Sequence, residues 1–232
     1  MHASSAILKP VQQADYVALL RGGVPAPGGV WADFGSGQGA YTLALAELIG
    51  PGSTLYSIDS DESALRTQAK LMADKFPGVA LHQLTADFTL PITPALPPLD
   101  GLVMANALHL VPDHQKAAIV TLLKSYIKPG GRWLLVDYNA DRGNAWVPYP
   151  LSFPTLETLA RQCGFVQVRL LGTHPNNFLK EFYAAECVTA EPPPPPPPAA
   201  APAAAPAGAA AKPASTKKKA APSRASRKNT SS

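Results

Sequence analysis

The sequence predicts an α/β protein in which helices cover both faces of a mostly parallel sheet. Three observations predict it. A short apolar strand ending in Asp33 runs straight into a glycine-rich turn and a helical stretch, over VWADFGSGQGAYTLALAELIG. Strand-like apolar runs then alternate with segments of helical period as far as Gly164, the pattern of parallel strands joined by crossover helices. The last two strand-like runs are joined without a long crossover, so the sheet should end on an antiparallel pair.

Taken in order, Val11 to Arg21 reads as a lead-in helix with Val17, Leu19 and Leu20 apolar, followed by the loop GGVPAPGG. Asp15 and Tyr16 would either reach over a cleft or merely anchor a lid. After the first strand, Gly35, Gly37 and Gly39 alternate, which lets the backbone turn tightly and a ligand approach where any Cβ would collide. The helix from Ala40 to about Leu48 aims its unpaired backbone N–H groups at that place. Twenty residues after Gly39, Asp59 closes the run LYSID and can accept two hydrogen bonds from a ribose diol. The expected ligand therefore carries a ribose.

Beyond Asp59, Leu65, Ala69, Met72 and Phe76 fall at helical spacing and should pack on the sheet. A strand is expected near Val79 to Leu84, with His82 half-buried in it. The loop holding Pro91, Pro94, Pro97 and Pro98 is stiff and suggests no function. A fourth strand, Leu99 to Ala105, delivers Asn106 and His109 to the sheet edge where ligands bind in open α/β sheets. His114 to Ile127 reads as a helix with Ala117, Val120, Leu122 and Leu123 inward, ended by Pro129-Gly130-Gly131 before a buried strand from Trp133 to Tyr138. Tyr138 and Asn139 leave that strand at the same edge. The loop DRGNAWVPYPLSF carries Trp146, Tyr149 and Phe153, either a pocket for a planar or apolar substrate or a satellite hydrophobic cluster. A helix capped by Thr155 and ended by Gly164 follows, then strands from Val166 to Leu171 and Lys180 to Val188.

Composition divides the chain. From Glu191 to Ser232 there are 11 prolines and 14 alanines and no large apolar residue, so this tail is expected to be disordered. It holds seven basic residues against one acid, while the first 190 residues hold 13 basic and 15 acidic, so the basic pI belongs to the tail. Such a tail could attract nucleic acid weakly through phosphates, or serve only as a solubilising extension. The expected organisation is thus a lead-in over residues 1–29, a catalytic domain over 30–190 and the tail. Cys163 and Cys187 have neither the density nor the spacing of a disulfide framework or zinc site. With no secretion-type leader and no run long enough to span a bilayer, a cytoplasmic protein without membrane contact is expected.

Two ligand classes fit the glycine turn. Gly35, Gly37 and Ala40 satisfy the dinucleotide fingerprint, which would suit a nicotinamide-dependent reductase. The extra Gly39, and Asp33 two residues before the first glycine, give DFGSGQG instead. That run resembles the first motif of the class I S-adenosylmethionine-dependent methyltransferases, and GPGSTLYSIDSD and the helix, KPGG and strand sequence are similar to later parts of the same family. The resemblance runs from about Val30 to Val188. It implies a Rossmann-like three-layer sandwich with a seven-stranded, mostly parallel sheet and an antiparallel C-terminal strand. It implies S-adenosylmethionine as cofactor, with Asp33 on its amino-acid part, Asp59 on the ribose and Asp87 on the adenine amino group. Phe88 would pack on the adenine ring. Phe34, Gly35, Ser36, Gly37 and Gly39 of the turn, Ser60 after the second strand, and Asn106 complete the implied cofactor set.

No Asn/Asp-Pro-Pro-Tyr/Phe run and no Pro-Cys pair follows the fourth strand, which excludes the usual base-modifying signatures and favours a small-molecule acceptor. A catalytic base is optional for such a transfer; His109 is the first candidate, because histidine titrates near neutrality, and Tyr138 the second. His109, Asp113 and His114 lack further ligands at a metal-site spacing, so no metal is expected. A non-catalytic nucleotide-binding protein remains the third reading.

Overall fold

The computed structural model describes residues 12–176 and 179–192, which lie in one compact unit, Met1–Pro193. The start of the expected lead-in helix at Val11 and nearly all of the tail fall outside the described residues. Seven strands form one sheet: β1 (Val30–Phe34), β2 (Thr54–Asp59), β3 (Ala80–Thr85), β4 (Leu99–Ala105), β5 (Ile127–Tyr138), β6 (Gln167–Asn176) and β7 (Lys180–Val188). Their spatial order is β3-β2-β1-β4-β5-β7-β6, and β7 runs antiparallel to both its neighbours. The helices are α1 (Gln13–Arg21), α2 (Ala40–Ile49), α3 (Glu62–Lys75), α4 (Asp113–Tyr126) and α5 (Phe153–Gln162).

Strand alternation divides the core between the two faces of the sheet. Phe34, Leu102, Met104, Trp133 and Leu135 turn to the face covered by α4 and α5, with Ile119, Leu123 and Leu156 packed on them. Trp31, Leu55, Val103, Leu134 and Val136 turn to the other face, against Leu20 of α1, Leu45 and Ile49 of α2 and Met72 of α3. Full burial of a large apolar side chain contributes roughly 1.5–3 kcal/mol each. The sheet changes direction of winding between β1 and β4, and the C-terminal ends of those two strands meet there.

Several sequence expectations are corrected in detail. β5 starts at Ile127, which pairs with Leu99, so Pro129-Gly130-Gly131 lies inside an irregular strand and does not end a helix. The inward face of α4 is Lys116, Ile119, Val120 and Leu123, whereas Ala117 is exposed and Leu122 only half-buried. α5 is entered from Ser152 and has Pro154 in its first turn, where a missing N–H costs nothing, so Thr155 lies within the helix rather than capping it. β6 begins at Gln167 and extends to Asn176, because it pairs along β7 to Lys180. His82 is exposed and stacks on Tyr56 at 5.0 Å.

Candidate active site

The glycine turn is held by backbone bonds to the neighbouring strand: the N–H groups of Gly35 and Ser36 donate to the Ile58 carbonyl at 2.8 and 3.1 Å. Gly35 has φ of +73°, and a Cβ there would lie 2.7 Å from the Ala107 Cβ and 3.5 Å from the Phe88 ring. The turn is thus pressed against the exit of β4. At Gly37, φ +50°, a Cβ would meet nothing within 4 Å, so this backbone borders open space.

Asp33 and Asp59 end neighbouring strands and differ in environment. Asp59 accepts the Gly37 N–H at 2.7 Å on one oxygen and the Asp61 N–H at 2.9 Å on the other. Asp33 is 1% exposed, accepts only the Thr42 hydroxyl at 2.6 Å through Oδ2, and has no partner for Oδ1. Burial pushes its carboxyl up to about 7; the Thr42 hydrogen bond pulls it down and the charge of Asp59 pushes it further up.

Behind these groups runs a buried polar relay that the sequence reading missed. Gln68 of α3 donates to the Thr42 hydroxyl at 2.6 Å and accepts from Ser57 at 2.7 Å and from Gln83 at 2.9 Å, while Ser57 and Ser36 share a bond of 2.7 Å. A Cβ at Gly39 would run into the Gln68 side chain, so that glycine is required by packing as well as by its φ of +91°. The available signal was a glutamine between Leu65 and Met72 on the inward stripe of an otherwise amphipathic helix.

The β4 exit brings the remaining candidates together. Asn106 takes φ of +52°, donates its N–H to Val136 at 2.8 Å, and leaves its side-chain oxygen buried without a partner. Three residues on, His109 is 6% exposed in a short 3₁₀ turn, with Nδ1 2.8 Å from Asp137 Oδ1 and its backbone N–H on Asp137 Oδ2 at 3.1 Å. Asp137, fully buried near the end of β5, was also missed; an acid closing the apolar run WLLV was its signal. Tyr138 packs edge-on against the His109 ring at 5.2 Å and against Phe182 at 4.6 Å. Burial and the Asp137 charge raise its hydroxyl above the usual tyrosine range, which keeps the proton on the oxygen and makes Tyr138 a poor base.

Other candidates are placed less favourably. Phe34 is fully buried and stacks on Tyr126 at 5.7 Å on the opposite face from Asp33, leaving only its backbone for a ligand. Ser36 is committed to Ser57, and Ser60 is exposed beyond β2. Asp87 is exposed, with one oxygen occupied by the N–H and hydroxyl of Thr89 and the other open, and Phe88 is half-buried beside Gly35. Trp146 is 78% exposed, so the aromatic loop does not close a pocket through it, although the Tyr149 N–H holds the His109 carbonyl at 3.0 Å. A cavity of about 660 Å³ bordered by Lys116, Asp141, Leu151 and Leu159 includes none of these candidates. Among the described residues no cluster of metal-ligating side chains occurs.

The residues fit an adenosyl amino-acid cofactor: a desolvated carboxylate with an unmet acceptor for an ammonium group, an open glycine backbone, and a strand-end acid beyond it. Residues 32–131 match the family model described as a methyltransferase domain. The fold is that of the class I S-adenosylmethionine-dependent methyltransferases. The methyltransferase fold is shared with magnesium protoporphyrin IX methyltransferase from Synechocystis with bound cofactor, at TM-score 0.59 and 18% identity over 77% of this chain and 78% of that one. The N-methyltransferase NodS from Bradyrhizobium japonicum aligns with TM-score 0.63 and 16% identity, covering 79% and 89% of the two chains. The 1,6-didemethyltoxoflavin-N1-methyltransferase from Burkholderia thailandensis gives TM-score 0.59 and 17% identity over 77% and 78%. By sequence, this chain is 37% identical over 59 residues to ribosomal RNA small subunit methyltransferase H of Paracidovorax citrulli, which is 25% of this chain and 19% of that protein's length.

Proposed function

We propose that the domain transfers a methyl group to a small-molecule acceptor, with Asp33, Asp59 and Asp87 holding the cofactor. The observation that carries this reading is the unpartnered, fully buried oxygen of Asp33 beside the open glycine turn. The cofactor, when bound, supplies a methyl group already made electrophilic by its sulfonium, so alignment of the acceptor is the protein's main task. Asp33 Oδ1 and the side-chain oxygen of Asn106 are the unmet acceptors for the α-ammonium. The backbone from Gly35 to Gly39 borders the amino-acid part, and Asp59, with Ser60 beside it, takes the ribose hydroxyls. The open oxygen of Asp87 suits the adenine amino group and Phe88 its ring. His109 is the candidate proton acceptor.

The small-molecule reading is supported by the compact domain without an inserted second unit, and by solved neighbours whose names specify porphyrin and toxoflavin-type acceptors. The two unpaired thiols, Cys163 and Cys187, suit a reducing, cytoplasmic compartment. The basic residues after Glu191 would add at most weak, salt-dependent attraction to nucleic acid; unchanged retention on DNA or RNA after deletion of residues 191–232 refutes that part.

Isothermal titration with S-adenosylhomocysteine, S-adenosylmethionine and NADH tests the core of the proposal. Saturable binding of both adenosyl ligands, weakened tenfold or more in Asp59→Ala by loss of charge-assisted hydrogen bonds, is expected. Binding of NADH alone would make the protein a reductase.

A further inference from the structure

We infer that Asp137 is a positioning residue that fixes His109 in the tautomer with its proton on Nδ1, leaving a bare Nε2 to take the proton of an acceptor hydroxyl. The inference deepens the methyltransferase reading and rests on it. Three hydrogen bonds reach Asp137, all from nitrogen: His109 N–H at 3.1 Å on Oδ2, Tyr138 N–H at 2.8 Å on Oδ1, and His109 Nδ1 at 2.8 Å on Oδ1. Two of these are backbone amides, which can only donate, and between them they engage both carboxylate oxygens. The carboxylate is therefore an acceptor throughout, and the ring nitrogen facing it must carry the hydrogen. Nδ1 is then the donor, and the lone pair of the neutral ring lies on Nε2, which has no partner among the described residues.

Rigidity supports the assignment. Asp137 is fully buried and holds His109 by ring and main chain together, while the Tyr138 ring meets the imidazole edge-on and the Tyr149 N–H ties down the His109 carbonyl. Tyr138 on β5, Tyr41 on α2 and Tyr183 on β7 all feel the charge of Asp137: burial first, and that charge after it, raises the pKa of each hydroxyl. None of them is placed to remove a proton at neutral pH.

The chemistry of a base names the acceptor class. Aromatic amines present a lone pair at working pH and need none, and a thiol, with a pKa of about 8.5, reaches its thiolate readily. A phenolic or enolic hydroxyl, with a pKa near 10, must lose its proton as it becomes a nucleophile. The O–CH₃ bond forms as the S–CH₃ bond breaks, the bonding pair returns to sulfur, and the hydroxyl proton passes to His109 Nε2 and from there to water. The imidazolium formed is stabilised by the Asp137 carboxylate at 2.8 Å.

The test uses the full-length protein labelled with ¹⁵N-histidine. Long-range ¹H–¹⁵N correlation spectra at mildly alkaline pH should show His109 protonated on Nδ1 and bare on Nε2; the opposite tautomer in the wild type overturns the inference without any variant. In Asp137→Asn the Nδ1-protonated form should be lost or mixed, since an amide cannot accept from both backbone N–H groups and the ring. S-adenosylhomocysteine should bind this variant within about threefold of wild type; failure of the wild type to bind it would instead sink the methyltransferase reading itself. Turnover is read with radiolabelled S-adenosylmethionine and two probe acceptors. With 4-methylphenol, kcat should fall about 10²-fold or more in the variant at little-changed KM, the contribution of a positioned base. With 4-nitrophenol, already ionised, the fall should be under tenfold. Equal losses on both probes, or no methylation of any phenol by the wild type, would overturn the assignment.

Discussion

Replacing Asp33 by Asn is expected to stabilise the unliganded protein at pH 8 while removing its hold on the cofactor. Asp33 titrates near 7 in the folded chain against 3.8 for an unperturbed aspartate, so between these values the native state binds the extra proton. Stability therefore falls as pH rises through that window, and the whole penalty is present above pH 7. A shift of that size is worth about 4 kcal/mol at pH 8 and under 2 kcal/mol at pH 5. The amide places an unpartnered N–H₂ where Oδ1 now sits, which costs about 1–3 kcal/mol, leaving a net gain of about 1–3 kcal/mol at pH 8. Near 2–4 °C per kcal/mol for a domain of this size, the melting temperature should rise by roughly 2–12 °C at pH 8, and the gain should vanish or reverse by pH 5. The wild type should release a proton on binding S-adenosylhomocysteine and bind it about tenfold more weakly at pH 6 than at pH 8, because only ionised Asp33 can pair with an ammonium. Differential scanning calorimetry and titration in two buffers of different ionisation enthalpy read both effects. An Asp33→Asn variant less stable than wild type by the same margin at both pH values would refute the reasoning, as would pH-independent affinity.

Gly35→Ala and Gly37→Ala should part company: the first meets Ala107 in a left-handed conformation and should lower the melting temperature by several degrees, whereas the second costs about 1 kcal/mol of strain yet blocks ligand approach, so titration should show lost affinity in a well-folded protein. Gln68→Leu leaves Thr42, Ser57 and Gln83 short of partners and should cost about 2–5 kcal/mol in urea unfolding, with weaker S-adenosylhomocysteine binding because Asp33 loses its oriented hydroxyl. Glu186→Gln removes the buried carboxylate that pairs with Arg132 at 2.7 Å and Arg169 at 2.6 Å; since Arg169 is half exposed and can turn to water, about 1–3 kcal/mol should be lost, with cofactor affinity unchanged.

Much of this arrangement was legible in the chain because it depends on local pattern. The glycine turn, the acids ending LYSID and VWAD, and the strand and helix periods each follow from residues a few positions apart. The groups that were missed act across sequence. Gln68 reaches Thr42 over 26 positions and Asp137 reaches His109 over 28, and only the packing of α3 on α2 and of β5 beside β4 brings them together. The boundaries misjudged around Ile127 and Thr155 have the same origin: Leu99 recruits Ile127 into the sheet, and Asp141 holds Ser152 by its N–H and hydroxyl at the start of α5. Phe34 lies in the motif but turns its side chain to the face away from Asp33, since adjacent strand residues point to opposite sides.

Three carboxylates stand near the C-terminal edge of the sheet, and the donors around them assign their work. Asp137 receives three N–H groups and Asp59 two, so each is an acceptor whose geometry serves to hold another part of the protein, though Asp59 keeps lone pairs for hydroxyls. Asp33 receives one hydroxyl and is the most poorly solvated of the three for the charge it must carry. A fold that needed only stability would have placed an amide or an apolar residue there. On the proposed reading the missing donor is a cationic ammonium, whose arrival would return the free energy withheld from the empty protein. On that reading, the same scarcity of donors that burdens Asp33 in the unliganded domain fits it to select what the domain binds.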